Sequence, residues 1–179
     1  VWNQFEDMIN EEKLIFIHVP KTGGTTINTA MNNSYWQTEV GFNYRHILPN
    51  KVSNSGDIFD PTENKKYLDF VIFMMLRQPI DRVTSEYHFI KERKEFIDLL
   101  QRKPKDFQSY IKNEQTNNGM VNFLKGRRMY SKHKSSDNDL IDIINTIEKI
   151  PIHVGIFEYF NDSLSYFSDI TGIKWGKKI

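Results

Sequence analysis

Cysteine is absent from these 179 residues, which removes disulfides, thiolate nucleophiles and zinc–thiolate centres together. The same absence argues against a small secreted domain stapled by disulfides. Long hydrophobic runs are missing too. The longest is about seven residues, far short of the roughly 20 that a helix needs to span a bilayer. Neither sign of charge dominates: 24 basic residues face 23 acidic ones, for a net charge of +1. No global field therefore marks a nucleic-acid partner. No signal-peptide pattern opens the chain, no metal-ligand cluster is evident, and no internal repeat or low-complexity tract stands out. Aromatic residues, by contrast, are plentiful, with 13 Phe, 8 Tyr and 3 Trp. They suit a packed core and a surface on which a base or sugar can stack. The length fits one domain over residues 1–179, with either end open to truncation.

Two segments carry the chemistry. In the first, the apolar run Leu14-Ile15-Phe16-Ile17 leads through His18-Val19-Pro20 into Lys21-Thr22-Gly23-Gly24-Thr25-Thr26. A strand followed by a glycine-bearing loop and a helix start builds an anion site, because the first helical N–H groups point at the ligand and the helix dipole favours negative charge. Glycines let the backbone approach a phosphate, while lysine and threonine add a cation and hydroxyls. The order differs from a Walker A loop, in which the lysine follows the glycines and directly precedes Ser or Thr. In the second segment, Phe70-Val71-Ile72-Phe73-Met74-Met75-Leu76 runs into Arg77-Gln78-Pro79 and a helical stretch that carries Ser85. Proline suits the first turn of that helix. Arg77 offers a charged fork and Ser85 a short hydroxyl for a second phosphate.

The pair HVPKTGGTT and LRQPIDRVTSEYHF resembles the two signatures of sulfotransferases that use 3′-phosphoadenosine 5′-phosphosulfate (PAPS). It is most similar to those of the carbohydrate type, such as the heparan sulfate 2-O- and 6-O-sulfotransferases. Weaker echoes follow at Asn113–Thr116 with Leu124-Lys125-Gly126, and at Val154–Phe160. The resemblance implies a three-layer P-loop-like α/β fold. It implies PAPS as donor, adenosine 3′,5′-bisphosphate as product, no metal, and a hydroxyl acceptor on a carbohydrate. It assigns Lys21, Thr22, Gly23, Gly24, Thr25 and Thr26 to the 5′-phosphosulfate, and Arg77 and Ser85 to the 3′-phosphate. Arg127 becomes a further cofactor neighbour. Lys21 would also support catalysis by stabilising charge on the bridging oxygen. An acceptor hydroxyl needs a general base. His46, between the two signatures where such relatives carry their histidine, takes that role, with His18 as its understudy and Glu86 or Asp81 as carboxylate alternatives. If the chain is complete, a cytoplasmic protein is expected; with an N-terminal anchor removed, a Golgi or membrane-anchored one. Two other functions are open to such a pocket: a non-catalytic nucleotide-binding module and a nucleotide-dependent P-loop kinase. The loop order weighs against the kinase.

Along the chain, strands are expected at 14–19, 39–42, 70–76 and 153–157. Helices are expected over part of 1–12, from Gly24 or Thr25 onward, from Pro79 to Gln101, and from Pro104. A further helix begins at Ser136 or Asp137, with Leu140, Ile141, Ile143, Ile144 and Ile147 on its apolar side. Pro151 ends it, and a last helix spans 161–170. Apolar strands alternating with amphipathic helices argue for a central parallel sheet flanked by helices on both faces. Ligands in such sheets bind beyond the carboxyl ends of the strands. The basic loop Lys125, Arg127, Arg128, Lys132 and Lys134 suits an anionic polysaccharide, closure over the nucleotide with Gly126 and Arg127 nearest it, or plain solvation, the commonest reading of such runs. Asn113, Gln115 and Asn117 suit either the lining of an acceptor cleft or simple capping and turning of the chain, and the sequence does not decide between the two.

Overall fold

The computed structural model describes residues 14–27, 58–93, 104–127, 133–172 and 175. Its centre is a sheet of three parallel strands, β1 (Leu14–Ile17), β2 (Val71–Leu76) and β3 (Ile152–Ile156), in the order β1-β2-β3. Leu14 pairs with Val71 and Ile17 with Met74; on the other side Ile72 pairs with Ile152 and Leu76 with Ile156. This register brings the carboxyl ends of all three strands to one edge. The first expected strand stops at Ile17 and not at Val19, because the Val19 N–H turns back to donate to the Ile17 carbonyl.

Alternation along the strands sorts the core into two layers. Ile15, Ile17, Ile72, Met74 and Ile152 face one side. They pack with Ile58, Phe59, Phe123, Leu124 and Ile143, contributed by helices α3 (Gly119–Leu124) and α4 (Asp137–Lys149) and the segment before β2. Phe16, Phe73 and Met75 face the other side, against Ile27 of the helical turn 24–27 and Leu164 and Phe167 of α5 (Phe160–Thr171). Both sheet faces are thus covered, as continuous apolar strands require.

Helix α1 (Pro79–Ile90) opens with proline in its first turn, and the Gln78 side chain caps it by accepting from the Asp81 N–H. It closes at Ile90, its last buried anchor, packed with Tyr110; of the stretch expected to continue to Gln101, residues 94–101 lie outside the described residues. Helix α2 (Phe107–Ile111) begins three residues after the expected Pro104. Asp106 and Ser109 form a reciprocal capping box that fixes the start.

In α4 the cap at Ser136 is as expected, but the buried face is rotated. Asp139, Ile143 and Thr146 point inward, while Leu140, Ile141 and Ile144 are about half exposed. The reason is Asp139, whose carboxylate accepts from the Ser136 N–H and from both arms of Arg127, drawing that side of the helix inward. Charge-assisted, bidentate bonds of this kind outweigh the exposure of a few aliphatic side chains. The lead-in 1–12, the strand at 39–42 and the loop around His46 lie outside the described residues. Among the described residues no helix is long and apolar enough to cross a membrane.

Candidate active site

The turn after β1 is shaped by two residues in the left-handed region, Lys21 at φ 68° and Gly23 at φ 81°. Glycine takes that conformation without strain, and a Cβ at Gly23 would also strike the Phe157 and Phe160 rings at 2.9 Å. Thr26 and Ile27 both donate their N–H groups to the Gly23 carbonyl, closing the first helical turn. Gly24 meets a different constraint. A Cβ there would lie 2.0 Å from His18 Cδ2, so the imidazole occupies the space that glycine vacates. His18 in turn stacks on Phe16, with ring centroids 5.9 Å apart.

The loops after β1 and β2 and the turn after β3 converge on one cleft of ≈ 560 Å³. Lys21, Gly23, Gly24, Thr25 and Thr26 line it from β1, Arg77 from the end of β2, and Ser85 and Phe89 from α1. His18, Pro20, Phe123 and Phe157 complete the wall. The Gln78 N–H donates to Glu158 Oε1 at 3.0 Å, tying the β2 loop to the turn after β3. Two segments 56 residues apart in sequence therefore share one site, as their strand-to-helix junctions lead one to expect.

Arg77 crosses the floor of the cleft. Its Nη1 donates to the Lys21 carbonyl at 3.4 Å, and its guanidinium lies 4.5 Å from the Phe157 ring centroid. Its Nε is buried and has no hydrogen-bond partner. An unmet buried donor on a cation costs free energy unless a ligand meets it. Lys21 places Nζ 4.1 Å from the Phe89 ring centroid. Burial depresses its pKa below the usual lysine range; Arg93 and Arg77 add to the depression, and Glu86 opposes it. Glu86 is itself buried and paired with Arg82, at 2.9 Å.

Some residues expected at the site lie elsewhere. Thr22 is fully buried, with its hydroxyl donating to the Val19 carbonyl at 2.7 Å, so its side chain braces the loop and does not line the cleft. Arg127 is not among the lining residues; its guanidinium is committed to Asp139 through bonds of 2.9 and 2.8 Å. Lys125, from the same basic loop, binds the Phe59 carbonyl and Asp142, each at 3.0 Å. These two cations hold α4 to the core. Arg128, Lys132 and His46 lie outside the described residues. Asn117 lines a second cavity of ≈ 290 Å³ on another flank of α1, beside Arg82 and Val83. The sequence reading missed Phe89, Phe157 and Glu158 as parts of the site. Phe89 falls one turn after Ser85, a spacing that puts both on one helix face.

A parallel sheet covered on both faces, with a cation-bearing, glycine-lined cleft beyond its strand ends, defines an α/β domain suited to an anionic ligand. The family model of the sulfotransferase family matches residues 7–175, and the chain belongs to that family of transferases. It matches no curated protein and no solved structure.

Proposed function

We propose that this protein is a PAPS-dependent sulfotransferase, acting as one domain, that moves a sulfuryl group onto a hydroxyl of a carbohydrate. The observation that carries the reading is the convergence of Lys21, Arg77 and Ser85 on one cleft with the two cleft glycines. The buried, unpartnered Arg77 Nε is the donor that a phosphate oxygen would meet. The cleft volume of ≈ 560 Å³ falls within the range of about 300–1,000 Å³ usual for small-molecule sites.

In this reading Arg77 and Ser85 hold the 3′-phosphate, and the 23–26 loop receives the 5′-phosphosulfate on its backbone and hydroxyls. PAPS supplies an activated sulfuryl group whose S–O bond to phosphate breaks as the acceptor oxygen bonds to sulfur. Adenosine 3′,5′-bisphosphate leaves with the electron pair of the broken bond. Lys21 stabilises the negative charge that grows on the bridging oxygen. His46 accepts the acceptor's proton; His18, which lines the cleft, is the alternative base. The carbohydrate acceptor rests on the similarity of the two signatures to the heparan sulfate type.

The test is transfer of ³⁵S-labelled sulfuryl from PAPS to a panel of glycans, lipids and small hydroxyl compounds, with His46→Ala and His18→Ala alongside. Labelled glycan that disappears with His46→Ala supports both the acceptor class and the base. Labelling of lipids or small molecules alone overturns the carbohydrate assignment. Bisphosphate binding with no turnover on any acceptor points to a binding module.

A further inference from the structure

One ring in the cleft carries two cations. Lys21 Nζ lies 4.1 Å from the Phe89 centroid, and the Arg93 guanidinium carbon lies 4.0 Å from the same centroid. The negative face of an aromatic ring attracts cations at such distances. The carboxylate best placed to neutralise Lys21 is Glu86, yet its Oε2 is engaged by buried Arg82 at 2.9 Å. Phe89 is the last residue of the second signature but is given no role there, and Arg93 lies beyond it, after the end of α1.

We propose that Phe89 is a positioning residue that seats the Lys21 ammonium at the cleft, and that Arg93 on the same ring is a second cation, beside Lys21, for the sulfuryl-bearing end of the donor. The inference rests on the donor-site reading above. An aromatic seat holds a lysine in place while leaving its three N–H donors available, whereas an ion pair with a carboxylate would neutralise it. A seated lysine pays little ordering entropy when an anion arrives. Two like charges near one ring also repel each other, and an incoming anion relieves that repulsion. The same geometry agrees with the depressed Lys21 pKa, to which burial and then Arg93 contribute most.

The experiment uses the full chain with its lysines reductively ¹³C-methylated and the Lys21 signal assigned by its loss in Lys21→Arg. A methyl group over a ring face is shifted upfield. The Lys21 signal should be shifted in wild type and in Phe89→Tyr, and should return to the ordinary lysine position in Phe89→Leu, which keeps an apolar side chain and removes the ring. Adding adenosine 3′,5′-bisphosphate or PAPS should move it again. In transfer assays on unmodified protein, Phe89→Leu should lower kcat/KM by roughly 2- to 30-fold, the range expected for one cation–π contact, with Phe89→Tyr restoring it. Arg93→Gln should raise the pH at which activity falls on the alkaline side, by removing a like charge from beside Lys21. A Lys21 signal at the ordinary position in wild type, or an unshifted alkaline limb in a folded Arg93→Gln, overturns the proposal. A shifted signal in a wild type that fails to bind the bisphosphate keeps the Lys21 seat while removing the donor reading and Arg93's part in it, so the two failures are distinguishable.

Discussion

Gly24→Ala is the sharpest single perturbation that the cleft offers, because two opposing effects act on one atom. Alanine in the first turn of a helix should by itself be favourable, by about 0.5–1 kcal/mol over glycine. Against this, the new Cβ would lie 2.0 Å from His18 Cδ2 and 2.3 Å from Nε2. Carbon atoms in contact sit about 3.5 Å apart or more, so the ring must retreat by roughly 1.5 Å. That retreat breaks its stack on Phe16 and adds the usual overpacking cost of about 1–3 kcal/mol. The clash wins. Gly24→Ala should therefore lose about 1–2 kcal/mol net, a fall in Tm of roughly 2–8 °C for a chain of this length. The assay is urea and thermal unfolding of wild type, Gly24→Ala, His18→Ala and the double variant. With the imidazole gone, Gly24→Ala should become neutral or stabilising, a coupling of about 1 kcal/mol or more between the two sites. Additivity within about 0.5 kcal/mol would refute the steric argument, as would a Gly24→Ala protein as stable as wild type.

Other consequences can be measured on the same footing. Glu86→Ala leaves the Arg82 guanidinium buried without its partner at 2.9 Å. It should cost about 3–5 kcal/mol in denaturant unfolding, whereas Arg82→Met with Glu86→Leu should cost markedly less. Asp139 is held well below the usual carboxylate range, first by its hydrogen bonds from Arg127 and further by those from Ser136. Its folded pKa lies below its unfolded one, so its stabilisation is complete above the ordinary carboxylate pKa and fades as pH falls toward the depressed value. Asp139→Asn should therefore cost roughly 1.5–3 kcal/mol at pH 7, and distinctly less near pH 2 by urea unfolding. Lys21→Ala should reduce sulfuryl transfer by about 10²–10³-fold through lost transition-state charge stabilisation. His46→Ala should abolish turnover while leaving bisphosphate affinity nearly intact by calorimetry; wild-type rates in either variant would remove that residue's role.

The parts of this molecule that sequence makes legible are those in which local pattern and tertiary role coincide. The runs Ile15–Ile17 and Val71–Leu76 are buried on both faces and become parallel neighbours, and each leads into a loop whose polar residues reach one cleft. Proline at 79 and serine at 136 announce helix starts because their chemistry acts within a few residues. What escapes is set by partners distant in sequence. The inward turn of Asp139 depends on Arg127, which sequence alone reads as a solvent or ligand cation. Thr22 sits among genuine lining residues, yet its hydroxyl folds back on Val19, and nothing in the order of loop residues distinguishes it from Thr25. The aromatic wall of Phe89 and Phe157 around Lys21 and Arg77 arises only when α1 and the turn after β3 meet.

In the proposed donor site, Arg77 and the β1 loop hold a nucleoside 3′,5′-bisphosphate. The decisive experiment is calorimetric titration of wild type and Arg77→Ala with adenosine 3′,5′-bisphosphate, beside ATP and adenosine 5′-monophosphate. Selective binding of the bisphosphate, weakened by about 1.5–3 kcal/mol or more in Arg77→Ala through loss of a charged hydrogen-bonding partner, is the predicted result. Equal or tighter binding of ATP, or no binding of the bisphosphate to folded protein, would contradict it.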